Sequence, residues 1–68
     1  MTLAIRINGR DETVAAATIA ELLRARGIDE KRGVAVAVNG AVVPAGRWRE
    51  HALGAGDEVE IVRPFGGG

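Results

Sequence analysis

Leu3, Ile5 and Ile7 alternate with Ala4 and Arg6, the period-two pattern of a strand with one face buried. Asn8-Gly9 follows at once and tolerates the positive φ angles of a tight hairpin turn, so Arg10 to Val14 is expected to run back antiparallel. The period then changes. Thr18-Ile19-Ala20-Glu21 has the form of a capping box, in which a hydroxyl and a carboxylate each satisfy a backbone amide at a helix start. Ile19, Leu22 and Leu23 share one face at helical spacing, Arg24 and Arg26 suit the negative end, and Gly27 suits the left-handed position that stops a helix. About two turns of helix do not persist alone, so this segment is expected to lie on a sheet.

Val34, Val36 and Val38 are separated only by Ala35 and Ala37, which reads as a strand covered on one face and small on the other. Asn39-Gly40 repeats the hairpin signal and leads into Ala41-Val42-Val43. Pro44 closes that strand because it has no amide proton for the ladder. Arg47 to Leu53 reads as an irregular or single helical turn with Trp48 and Leu53 pointing inward. Gly54-Ala55-Gly56-Asp57 is a turn, and Glu58 to Arg63 alternates as a final strand.

One amphipathic helix and a mixed sheet bury their apolar faces most simply if the sheet curls over the helix with its first and last strands side by side and parallel. The expected class is α+β, a ubiquitin-like β-grasp with a mixed sheet of four to five strands, folded over residues 1–63. Residues 64–68 are expected to form a flexible C-terminal tail.

Composition narrows the function. A chain of 68 residues is one domain, expected to bury about 60% of the surface its unfolded form exposes. It contains no Cys and a single His, His51, so neither disulfides nor a multi-ligand metal centre can brace it. Nine basic residues balance nine acidic ones, without the positive stripe that general nucleic-acid binding requires. No run of apolar residues approaches the roughly 18 of a membrane span. The expectation is a cytoplasmic protein that engages neither nucleic acid nor membrane.

Catalytic constellations are equally scarce. The chain has no Ser and no Cys, which removes the usual nucleophiles. Thr18 is read as a helix cap. Asp11-Glu12 and Asp29-Glu30 are read as solvated charge on turns and edges. Gly54-Ala55-Gly56 precedes a strand, and no helix follows Gly66-Gly67-Gly68, so neither makes a phosphate loop of the strand-to-helix kind. The reading is a protein that is not an enzyme.

The tail is the remaining candidate. Terminal glycines are commonly frayed residues or linkers, and that reading stays open. The alternative rests on position: Pro64 to Gly68 continues the last strand and would reach roughly 17 Å when extended at 3.3–3.6 Å per residue. Glycine lets such a stalk thread a narrow channel. Its reactive group would be the Gly68 carboxylate, a poor electrophile until a partner converts it into an acyl-adenylate.

Here the residues reach a resemblance. The Asn8-Gly9 hairpin, Thr18-Ile19-Ala20-Glu21-Leu22-Leu23, the stretch from Val38-Asn39-Gly40 through Val43-Pro44 to Trp48, Gly56-Asp57-Glu58-Val59 and the Gly67-Gly68 end together resemble the ThiS family of thiamin-biosynthesis sulfur carriers. Each motif is weak alone; their order, spacing and short overall length are specific together. The resemblance implies a carrier whose Gly68 is adenylated by an E1-like, ThiF-like adenylyltransferase. It implies a C-terminal thiocarboxylate made with sulfur from a persulfide donor and delivered to a ThiG-like thiazole synthase. No cofactor is bound by the carrier itself; ATP and Mg belong to the activating partner. Gly66 and Gly67 would enter partner active sites with Gly68, and Phe65 and Gly66 depart from a bare two-glycine ending.

The alternatives are the small subunit of molybdopterin synthase, another ubiquitin-like carrier or modifier, and a noncatalytic structural interaction module. Lys31 is the one lysine, which leaves little scope for a modifier to form chains on itself. Val62, Arg63 and Phe65 are the candidate partner contacts, against the readings that Val62 merely covers a sheet, Arg63 is a solvated charge and Phe65 folds back as a lid. Trp48 is read as core and His51 as an exposed or capping residue.

Overall fold

In a computed structural model, which describes residues 1–29 and 32–63, five strands form one sheet across a single α-helix. The strands are β1 (Leu3–Ile7), β2 (Arg10–Val14), β3 (Ala35–Val38), β4 (Ala41–Val43) and β5 (Glu58–Val62), and the helix, α1, spans Ile19–Ala25. Spatial order is β2-β1-β5-β3-β4. Both hairpins are antiparallel, and β5 enters between them, parallel to β1 and antiparallel to β3. This is the mixed β-grasp sheet expected from the alternation.

The corners follow from their residues. Asn8 and Asn39 have φ of 51° and 52°, and the glycines after them 83° and 84°, the two successive positive angles of a type I′ turn whose twist matches the flanking strands. The helix starts where Thr18 Oγ1 accepts the Glu21 amide at 3.2 Å. The Glu21 carboxylate reaches one residue further back than a capping box requires, accepting the Ala17 amide at 2.9 Å. At the other end Gly27, at φ 71°, donates to Arg24 O and Ile28 donates to Leu23 O. These are the crossed bonds of a Schellman motif, and half-buried Ile28 packs back on the core.

Alternation then divides the sheet. Ile5, Ile7, Val36, Val38, Val43, Val59 and Ile61 turn towards α1 and join Ile19, Leu22, Leu23, Trp48 and Leu53 in one buried cluster. Trp48 is 1% exposed, and its indole Nε1–H donates to Val43 O at 2.8 Å, which satisfies the polar atom that burial would otherwise strand. The expected turn over 47–53 begins earlier than its pattern suggested, as a 3₁₀ turn at Ala45–Arg47. From there the backbone serves the helix: Ile19 donates to His51 O and Ala20 to Trp48 O, while Leu53 donates to Ala17 O. The first amides of α1 are thus bonded to a neighbouring loop, and the loop is held in return.

Candidate functional site

The polypeptide leaves the sheet through the central strand. β5 has neighbours on both sides, with Val59 opposite Ile7 on β1 and Val38 on β3. Backbone pairing on the β1 side covers Glu58 and Val59, while β3 pairs the strand through Val62, and the doubly paired stretch opens only when its neighbours do. Tail residues Phe65, Gly66, Gly67 and Gly68, like Pro64, lie outside the described residues, as does Lys31. The described part of the candidate site is therefore the end of β5 and the sheet face around it.

Both Asn-Gly corners grip this strand, a feature the sequence reading did not anticipate. At its start, the Glu58 amide donates to Asn39 Oδ1 at 2.9 Å and Asn39 N–H donates to Glu58 O at 2.7 Å. Asn39 Nδ2 also donates to Asp57 Oδ1 at 3.1 Å, and the other carboxylate oxygen of Asp57 accepts from Gly54 at 2.8 Å. Towards its end, the Ile61 amide donates to Asn8 Oδ1 at 2.8 Å and Asn8 Nδ2 donates to Ile61 O at 3.3 Å. Asparagine is favoured at a type I′ corner for its backbone alone, so turn chemistry hid the second role. Only knowing that β5 runs between the hairpins reveals it.

On the face away from α1 the side chains sort into two halves. Arg6 sits between Asp11, at 3.3 Å, and Glu58, at 3.8 Å, and Glu60 follows two residues along β5. These exposed ion pairs contribute little to stability. The other half is mainly apolar: Val62 is opposite Ala35, and Ala37 lies between Glu60 on β5 and Val42 on β4. Val62 is 63% exposed and Val42 75%. Arg63, also exposed, follows directly. The structure thus places Val62 and Arg63 together at the exit of β5, beside an apolar strip from which a partner could exclude water.

The remaining residues of interest lie elsewhere. Trp48 is in the core. His51 is half-buried, and its backbone carbonyl caps the helix. Asp11 and Glu12 are surface ion-pair partners, Glu12 meeting the Arg26 guanidinium at 2.8 Å. An open groove between β2 and α1 is lined by Val14, Ala16 and Leu22 with Glu21 and Arg26, but Glu21 is bonded to the Ala17 amide and Arg26 to Glu12. Among the described residues no group of three or more His, Cys, Asp or Glu could hold a metal ion, and no helix is long and apolar enough to cross a membrane.

Comparisons with known proteins agree with this architecture. No curated protein sequence matches the chain significantly. Among solved structures, the crystal structure of a thiamine biosynthesis protein (ThiS) from Geobacter metallireducens is similar with a TM-score of 0.77 and 31% identity, covering 100% of both chains. An NMR solution structure of a thiamine biosynthesis protein from the same organism is similar with a TM-score of 0.79 and 30% identity, over 97% of this chain and 88% of the other. The ThiS family model matches residues 5–68, which takes in the sheet from Ile5 onward, the helix and the glycine end of the sequence, and the chain belongs to the ThiS family.

Proposed function

We propose that this protein is a sulfur carrier of thiamin biosynthesis, a noncatalytic cytoplasmic protein whose chemistry resides in the carboxylate of Gly68. The observation that carries the reading is the family match, which runs through Gly67 and Gly68. The two solved structures are of one thiamine biosynthesis protein, which favours the thiazole branch over molybdopterin.

In this reading the E1-like partner binds ATP and Mg, and a Gly68 carboxylate oxygen attacks the α-phosphorus as pyrophosphate leaves. The acyl-adenylate has AMP as its leaving group, so a persulfide sulfur can add to the acyl carbon and expel it. A thiol then cleaves the resulting S–S bond, forming its own disulfide with the donor and leaving the thiocarboxylate, which thiazole synthase consumes. The carrier's part is delivery. Val62, Arg63 and Phe65 would meet the partner, with the strip of Ala35, Ala37 and Val42 continuing the contact, while Gly66 and Gly67 offer no side chain to obstruct entry.

The test is intact-mass analysis after incubation with a ThiF-like enzyme, ATP, Mg and a persulfide donor. The expected product has one oxygen replaced by sulfur at Gly68. An unchanged mass, with the enzyme active on another carrier, would overturn the reading.

A further inference from the structure

The two Asn-Gly corners are alike in dihedral angles and in gripping β5, but they hold opposite ends of it. Asn39 bonds Glu58, where the strand begins, and Asn8 bonds Ile61, one residue before the strand ends at Val62. Along β1 the parallel ladder runs from the Arg6 amide on Asp57 O to the Asn8 amide on Val59 O. Continued regularly, its next bond would pass from the Ile61 amide to the backbone carbonyl of residue 8. The chain has already turned there, and the Asn8 side chain takes over: its carbonyl accepts from Ile61 N–H and its amino group donates to Ile61 O. A primary amide carries the same donor and acceptor as a peptide group. It adds a rung beyond the last backbone pairing, Ile7 with Val59.

On the opposite edge, the support at this level is the pairing of Val62 with Ala35, the first residue of β3. Without the Asn8 amide, the exit end of β5 would be held from one side only. We propose that Asn8 is a positioning residue for tail delivery: its side-chain amide fixes the end of β5, and so the place of Val62 and Arg63, from which the sequence continues into residues 64–68. This rests on the carrier reading above. A frayed strand end must be re-ordered at each docking event, and apparent affinity falls by the fraction of molecules that are correctly arranged. Once docked, the terminus reacts as before. The effect should therefore appear in KM for the carrier and leave kcat unchanged.

The test compares Asn8→Gly with Asn39→Gly in the full chain. Both retain a residue that accepts positive φ, and both remove side-chain bonds to β5. Adenylation by the ThiF-like enzyme is followed by pyrophosphate release, and amide hydrogen exchange is read at Ile61 and Val62. Asn8→Gly is expected to speed exchange at both amides and to raise KM about tenfold, from the loss of two hydrogen bonds, with kcat within about twofold. Asn39→Gly should lower stability comparably and leave KM unchanged. Equal effects of the two variants on KM, or faster exchange in Asn8→Gly at unchanged KM, would overturn the proposal. If Asn8→Gly does not fold, Asn8→Asp, which keeps the corner and the acceptor but loses the donor, is scored in the same way: raised KM with faster exchange supports the role, and unchanged KM sinks it. Failure of the unaltered protein to be adenylated by an enzyme of verified activity removes the carrier reading and this role with it.

Discussion

The two faces of the sheet are built from the same strands and obey different chemistry. On β5, Val59 faces α1 and is 1% exposed, while three residues later Val62 faces outward and is 63% exposed. The covered face concentrates large aliphatic residues around Trp48. The outer face carries alanine, valine and a short run of paired charges. A domain of this size has a narrow stability margin, of the order of 3–10 kcal/mol at the usual value per residue, and nearly all of it must come from the covered side. The outer face can then be shaped by what it touches, because little of the folding free energy depends on it.

The largest effect is expected at Trp48, where the helix-side loop is anchored. Trp48→Ala removes the most voluminous fully buried side chain and leaves Val43 O without its indole donor. A loss of about 3–5 kcal/mol approaches the whole stability of the domain, so the variant should be unfolded or nearly so by circular dichroism and urea titration. A cooperative transition close to that of the parent would break the comparison, because the covered face would not then be one core.

A sharper version compares two valines on one strand. Val59→Ala deletes buried carbon atoms facing Ile7 and Val38 and is expected to cost about 2 kcal/mol from lost transfer free energy and a residual cavity. The same change at Val62 should stay within about 0.5 kcal/mol. Matched urea midpoints for the two variants would show that exposure at β5 does not govern its energetics.

The division between faces was largely legible in the sequence because it follows local periods. Leu3-Ile5-Ile7, Val34-Val36-Val38 and Val59-Ile61 each declare a buried side within a few residues, and Asn-Gly declares its corner without help from the rest of the chain. Thr18, Gly27 and Pro44 mark their ends for similarly local reasons. What could not be read was long-range backbone satisfaction. The bonds from Asn8 to Ile61 link residues 53 positions apart, and the carbonyls of Trp48 and His51 serve the helix start only after the loop has docked. Nothing in a window of ten residues encodes either. The candidate site is legible in another way: alternation along Glu58 to Arg63 sets Val62 on the side opposite Val59 and Ile61, where it stands, whereas the thiocarboxylate chemistry of Gly68 comes from resemblance and its residues lie outside those described.

A smaller effect is expected at the helix start. Thr18→Ala removes the hydroxyl that accepts the Glu21 amide, and such caps contribute about 1 kcal/mol. The other early amides keep their partners, since Ile19 and Ala20 donate to His51 O and Trp48 O and Leu22 donates to Thr18 O. Hence the loss should appear as a modest shift in the urea midpoint with the slope unchanged. A loss as large as that of Val59→Ala would mean that the cap also holds the 48–53 loop in place, extending the covered side's dependence beyond its apolar contacts.

The smallest change in stability belongs to Val62→Thr, and it is the most informative about the outer face. Threonine keeps the β-branched shape that suits a strand and exchanges one exposed methyl for a hydroxyl, so the folding free energy should move by less than about 0.5 kcal/mol. Beside Ala35, with Ala37 and Val42 beyond, the same hydroxyl would have to be desolvated when a partner covers the apolar strip. That cost is about 1–3 kcal/mol when no new hydrogen bond replaces water. Adenylation assays with the ThiF-like enzyme should therefore show KM rising roughly five- to hundredfold in a protein whose urea curve overlays that of the parent. An unaltered KM would place the docking surface elsewhere, and the exposed valines would then be ordinary surface residues of the kind every folded protein carries.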